Sequence, residues 1–167
     1  YEGPEEPDLA ERILAMRHRI SAERVGTAGK ATHVKLGSGG IVEIEFLVQY
    51  LQLRHGRTHP ALRSQSTLPA LAALAETGVL PAADAVMLGD AYRFLRRVET
   101  RLRIVADLSV NTLPSAPAKL ETLVRRMGYP AKADTSSQAQ FLADYAARTG
   151  QVHEVFQRVF GGDGAQR

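Results

Sequence analysis

The 167-residue chain contains no cysteine and no tryptophan, and aromatic residues make up only 6% of it. The absence of cysteine excludes disulfide bonds, thiolate metal sites and cysteine nucleophiles. The scarcity of aromatic residues predicts a core built mainly from Leu, Ala, Val and Ile. No apolar run approaches the roughly 18 residues that a membrane-spanning helix requires. We therefore expect a cytoplasmic protein without a membrane segment.

The charge of the chain is mildly positive, at +3, and 44% of its residues are hydrophobic. This composition is typical of a folded globular domain. No dense run of Lys and Arg with interleaved aromatic residues is present, so nucleic-acid binding is not predicted. The N-terminal residues 1–7 are acidic and proline-rich, unlike a signal peptide, and they begin without Met. This beginning suggests a piece of a longer protein.

Hydrophobic residues recur at helical spacing along most of the chain, which predicts an all-α bundle of about six helices. The fourth helix, opened by Pro81, is predicted to be the longest and to lie at the centre of the bundle. Residues 33–36 are expected to form a short extended piece. We divide the chain into a connecting helix and loop at 1–32, a helical bundle at 33–160 and a mobile tail at 161–167. The predicted helices run from Asp8 to about Arg24, from Ile41, from Ser66 or Thr67 to Gly78, from about Ala82 to Ala106, from about Pro117 to Met127, and from near Gln138 to Phe160.

The most unusual segment is a glycine cluster directly before the second predicted helix. Free backbone N–H groups at a helix start favour anions, so the cluster predicts a nucleotide or phosphate contact. It is not a P-loop, because its Lys precedes the glycines, and it is not a dinucleotide fingerprint, because Val42 stands where a glycine is needed. The alternative is a tight turn into a helix. The candidate residues are Lys35, Gly37, Ser38, Gly39 and Gly40.

Two carboxylates follow the glycines. On a strand, Glu43 and Glu45 would share one face and could bind a metal together. On a helix, the two side chains point about 200° apart and cannot do so. The apolar pattern continues at helical spacing, which favours the helix. In that case Glu43 stabilises the first turn and Glu45 projects elsewhere, toward a neighbouring domain.

Other candidate sites are few. Arg93, Arg97 and Arg101 form an i, i+4 row on the fourth predicted helix. Such a row is commonly a solvated face, and it is also a candidate docking surface for an acidic partner. The five histidines show no zinc-binding spacing, and no Ser nucleophile motif is present, so no metal site and no catalytic residue are assigned to the chain.

The segment from Lys35 to Phe46 resembles the helical domain of bacterial glutamine-synthetase adenylyltransferases. That family carries a Lys-x-Gly-x-Gly-Gly-Ile-Arg-Asp-Ile-Glu-Phe motif at the opening of the helical domain. Val42 and Glu43 replace the Arg and Asp of that motif. The resemblance continues in the same order through residues 59–63, 67–71, 91–99, 113–114 and 127–129.

The resemblance implies a two-headed enzyme in which each head pairs a nucleotidyltransferase domain with a helical domain similar to that of PII-uridylyltransferases. One head adenylylates glutamine synthetase and the other removes the AMP. The catalytic Asp-x-Asp of the nucleotidyltransferase domain has no counterpart here, so this chain is expected to be inactive alone. ATP and magnesium are implied for the full-length enzyme. The implied partners are glutamine synthetase, the PII signalling protein and the chain's own nucleotidyltransferase domain. His33 and the segment 127–130 resemble the C-terminal, adenylylating head.

Two other functions compete with this interpretation. The first is a stand-alone helical interaction module in which the glycines are purely structural. The second is an independent nucleotidyltransferase that uses Glu43 and Glu45 on a strand.

Overall fold

The computed structural model describes residues 33–106, 111–130 and 136–162, together with residues 12, 15 and 16. In this part of the chain the only β-pairing is a bridge between His33 and Thr112, so the prediction of an all-α fold is confirmed. Of the predicted first helix, only residues 12, 15 and 16 are described, and the rest lies outside the described residues. The other predicted helices are present. They are α1 (Ile41–His55), α2 (Thr67–Glu76), α3 (Ala82–Ala106), α4 (Pro117–Arg126) and α5 (Ser137–Gly162), with a 3-10 turn at Pro60–Leu62.

The helix ends follow the positions of proline and glycine. Pro117 occupies the first turn of α4, where its missing N–H is not needed, and Gly128 ends that helix with a φ of 85°. Ser66 stands at the N-cap position of α2, but its side chain makes no capping hydrogen bond. The prediction that α3 is the longest helix is wrong by a narrow margin, since α3 has 25 residues and α5 has 26. α5 also extends two residues into the predicted tail.

Helix α3 lies at the centre of the bundle and contacts α1, α2, α4 and α5. Its apolar stripe, which includes Leu88, Leu95 and Val98, is fully buried. α5 runs antiparallel to α3. Phe94, in the middle of α3, lies close to Phe141 near the start of α5. Asp84, near the start of α3, pairs with Arg158 near the end of α5. The prediction of a central helix at this position is confirmed.

Three local predictions are wrong. The helical spacing of apolar residues predicts that Leu53 of α1 and Leu142 of α5 lie on apolar faces, yet 51% and 42% of these residues are exposed. Phe141, the neighbour of Leu142, is fully buried instead and contacts Tyr145. Residues 34–36 form a turn rather than an extended piece, since the Gly37 amide donates to the His33 carbonyl at 2.7 Å. No helix in the described ranges is long and apolar enough to cross a membrane.

Candidate functional site

The glycine loop, residues 33–40, folds back onto the start of α1. The amides of Ile41 and Val42 donate to the carbonyls of Val34 and Lys35, each at 3.1 Å, and the Gly40 amide donates to the Gly37 carbonyl at 3.0 Å. The first N–H groups of a helix ordinarily have no partner within the helix. Here the loop supplies those partners, so the first N–H groups of α1 are hydrogen-bonded to carbonyls of the same chain.

Glu43, in the first turn of α1, provides the acceptor for another amide of the loop. Its carboxylate accepts a hydrogen bond from the Gly39 amide at 2.8 Å and lies 3.1 Å from His153 Nδ1 on α5. Only 3% of Glu43 is exposed. A buried carboxylate is tolerated where hydrogen bonds compensate its lost hydration. We call Gly39, Glu43 and His153 the Glu43 network, and it ties the glycine loop to the last helix.

The glycines of this loop are required by space as well as by conformation. Gly39 has a φ of 67°, and a Cβ built there would fall on the Thr149 carbonyl and lie 2.7 Å from the Thr149 Cα. A Cβ at Gly40 would lie 2.8 Å from the carbonyl oxygens of Val34 and Lys35. The loop therefore packs backbone to backbone against α5, which only glycine permits.

These contacts change the interpretation of the predicted phosphate site. The amides of Gly37, Gly39 and Gly40 all donate within the chain, and the Glu43 carboxylate adds negative charge beside them. The glycine amides are therefore not available as anion donors in this arrangement. Of the predicted residues, Ser38 is exposed, and half-buried Lys35 makes no ion pair with the described residues. A phosphate contact at this loop would depend on these two side chains.

Glu45 does not join Glu43. Both residues lie on α1, so the strand arrangement of the two carboxylates is wrong. Glu45 is half-buried and accepts a hydrogen bond from the Tyr92 hydroxyl of α3 at 3.1 Å. Tyr92, the partner of Glu45, lies within the bundle, whereas the sequence had predicted that Glu45 projects toward a neighbouring domain. In the described ranges, no group of three His, Asp or Glu side chains is placed to hold a metal ion.

His33 holds the other end of the glycine loop. Its Nδ1 accepts a hydrogen bond from the Leu36 amide at 3.0 Å, so the neutral ring carries its proton on Nε2. Burial lowers the pKa of His33, and the nearby charge of Lys35 lowers it further, against an opposing backbone hydrogen bond. Protonation of Nδ1 removes the acceptor that the Leu36 amide uses.

This geometry predicts a pH dependence of stability. Because the pKa of His33 is lower in the folded chain, the unfolded chain binds a proton at this residue more readily. The free energy of unfolding therefore falls as the pH drops below about 6.5. His33→Asn retains an acceptor that does not titrate. We expect its free energy of unfolding, measured in urea, to change less than that of wild type between about pH 7.5 and pH 5.5. Equal slopes in the two proteins would contradict this role of His33.

Only two residues of the predicted arginine row are exposed on the surface of α3. Arg93 is exposed and pairs with Asp90 at 3.1 Å. Arg97 is exposed and makes no ion pair with a described residue. Arg101 is half-buried, and its Nε atom is buried without a hydrogen-bond partner. A docking surface on α3 would therefore be formed by Arg93 and Arg97, with Arg101 mostly turned into the fold.

Two polar side chains with contacts in the bundle were not predicted, Glu99 and His153. Glu99 is buried on α3 and pairs with Arg96 at 2.8 Å and with Arg103 at 3.0 Å. Its i−3 and i+4 spacing to these arginines was a usable signal. His153 had no such signal, since 110 residues separate it from Glu43.

Comparison with known proteins identifies the family. The family model described as GlnD PII-uridylyltransferase matches residues 8–160. The chain is also similar to bifunctional glutamine synthetase adenylyltransferase/adenylyl-removing enzymes. The Mycobacterium avium protein is 35% identical over 156 residues, which is 93% of this chain and 15% of that relative. The Neisseria meningitidis serogroup A protein is 42% identical over 117 residues, 69% of this chain and 13% of that relative.

A third relative, from Xanthomonas axonopodis pv. citri, is 41% identical over 136 residues, 81% of this chain and 14% of the relative. The chain thus spans at most 15% of the length of these three relatives. The family match covers nearly all of the bundle, including the glycine loop, α3 and α5. The chain therefore belongs to the GlnD PII-uridylyltransferase family.

Proposed function

We propose that this chain is the helical, non-catalytic domain of an enzyme that adenylylates and deadenylylates glutamine synthetase. The names of its relatives support this function, and the chain contains no Asp-x-Asp pair. In this proposal the catalytic step, with ATP and magnesium, belongs to an adjoining nucleotidyltransferase domain of the cytoplasmic parent enzyme. Glutamine synthetase is the substrate, the PII protein is the regulator, and the head is the C-terminal, adenylylating one.

The glycine loop is the part of this domain that would face the nucleotide. The observation that supports this assignment is the Lys35 side chain, which makes no ion pair with the described residues on a loop that the Glu43 network holds against α5. On this loop Ser38 is exposed and Lys35 is half-buried. A Lys ammonium is a compact charge that suits a phosphate oxygen. Arg93 and Arg97 of α3 would form a separate surface for docking a protein partner.

The test of the cleft role is adenylyl transfer by the parent enzyme carrying Lys35→Ala. A lost charge-assisted hydrogen bond is worth about 1.5–3 kcal/mol, so we expect kcat/KM for ATP to fall about tenfold to a hundredfold. Lys35→Arg keeps the charge and is expected to lose less. Lys119→Ala, which removes an exposed cation from α4, serves as the matched control. Unchanged transfer by a folded Lys35→Ala enzyme would rule out the cleft role.

A second candidate function is a helical interaction module with a purely structural glycine turn. The internal bonding of the Gly37, Gly39 and Gly40 amides favours it. The same experiment separates the two functions, since the interaction module predicts that Lys35→Ala leaves adenylyl transfer intact.

A further inference from the structure

A groove runs between the first half of α3 and the facing part of α5, away from the glycine loop. Along α3 its lining extends from Ala82 to Asp90, which is roughly 12 Å at the rise of an α-helix. Arg148 and Gln151 line it from α5. The groove is therefore long enough to receive about two turns of a helical segment.

The floor of the groove is apolar and open. Val86 is 66% exposed although it lies on the central helix, and Met87 beside it is only partly buried. Two alanines of the first α3 turn extend this surface. An aliphatic side chain from another segment would bury against Val86 without displacing any residue of the core.

The charges that line the groove are unbalanced. Asp90 is engaged by Arg93 at 3.1 Å. Arg148 lies with its guanidinium 4.8 Å from the centre of the Phe94 ring, and its buried Nε has no hydrogen-bond partner. The one carboxylate among the described lining residues is thus paired, whereas the Arg148 guanidinium makes no ion pair with a described residue. The positive charge of this guanidinium favours a ligand that brings a carboxylate.

Charges of both signs act on the Tyr129 hydroxyl. The positive charges of Arg148 and Arg97 lower the pKa of Tyr129. Burial and the hydrogen bond to Asp144 nevertheless raise the pKa of Tyr129 to about 12. Asp144 keeps its negative charge when it accepts the Tyr129 hydrogen bond at 2.7 Å, so the attraction of the groove for a carboxylate rests on Arg148 alone among the described residues that line it.

We propose that the α3–α5 groove is a docking site for a protein segment that carries an aliphatic side chain and a carboxylate about one helical turn apart. The aliphatic side chain packs on Val86 and the carboxylate binds Arg148. Charge complementarity selects this occupant over a second copy of the chain, whose own net charge is +3. The site does not depend on the glycine loop or on the enzyme proposed above.

The test is a methyl NMR titration of the 167-residue chain with three synthetic helical peptides of twelve residues. Each peptide carries Leu and, one turn away, Glu, Gln or Lys. We expect the Glu peptide to shift the Val86 and Met87 methyl signals and to bind at least fivefold more tightly than the Gln peptide, with the Lys peptide weakest. Leu53, exposed on α1, serves as the remote reference and is expected to stay unshifted.

Arg148→Met, which keeps an apolar stem beside Phe94, is expected to remove the difference between the Glu and Gln peptides. Its thermal unfolding is measured to show that the bundle is intact. Equal affinity for the three peptides, dominant shifts at Leu53, or no shift at millimolar Glu peptide would each overturn the proposal. A shift of Val86 with protein concentration alone would place a second copy in the groove and would also overturn it.

Discussion

Gly39→Ala is expected to destabilise the chain by about 2–5 kcal/mol. Two costs combine in this variant. A left-handed φ costs a residue with a Cβ about 1–2 kcal/mol, and steric overlap in a packed site adds about 1–3 kcal/mol. The overlapping atoms are the backbone carbonyl and Cα of Thr149, which belong to α5 and cannot rotate away. Urea unfolding followed by circular dichroism measures the loss.

Gly78→Ala is the matched control for this prediction. Gly78 also has a left-handed φ, of 71°, but a Cβ there would meet no atom within 4 Å. We expect this variant to lose only the conformational cost of about 1–2 kcal/mol. The difference in the free energy of unfolding between the two variants measures the steric cost of adding a methyl group where the loop approaches α5. Equal losses at Gly39 and Gly78 would mean that α5 yields to the added methyl group.

Glu43→Ala is expected to lower the free energy of unfolding by about 2–3 kcal/mol. The variant leaves the buried Gly39 amide without its acceptor and takes the carboxylate from His153. Glu43→Gln retains a side-chain oxygen for the Gly39 amide and is expected to lose less. Glu45→Ala, which removes one half-buried hydrogen bond to Tyr92, is the matched control and is expected to cost about 1 kcal/mol.

A double-mutant cycle isolates the part of this loss that belongs to His153. We expect a coupling free energy above about 0.5 kcal/mol between Glu43→Ala and His153→Ala, since the two side chains are in contact. Additive losses in the double variant would show that His153 contributes nothing to the Glu43 network. A Glu43→Ala variant as stable as Glu45→Ala would contradict the network itself.

The helices were predictable because local rules decide where they begin and end. Proline at 117 and glycine at 78 and 128 mark boundaries that the chain alone imposes. Burial was harder to predict on helices with apolar residues on two sides. Leu142 and Phe141 both fit an apolar stripe on α5, and the position of the Tyr129 and Phe94 rings decides that Phe141 is buried.

The glycine loop shows what the sequence predicted and what it could not. Three glycines before a helix indicated a special backbone, and the sequence left open whether it contacts an anion or only makes a tight turn into the helix. Glu43 stands three residues after the N-cap Gly40, the position from which a Glu side chain reaches back to the amides before the helix. That signal was present in the sequence. The contact of Gly39 with Thr149 was not, because it depends on how α5 packs.

Because 110 residues separate Glu43 from His153, the two residues leave the ribosome at different times during synthesis of the chain. At typical translation rates, on the order of ten seconds pass between the emergence of these two residues from the ribosome. During that interval the glycine loop has no α5 to pack against, and the Glu43 carboxylate has no His153 side chain to contact. Helices α2 and α3, which are neighbours along the chain and in space, can pair earlier. The loop is therefore among the last parts of the nascent domain to reach its final form.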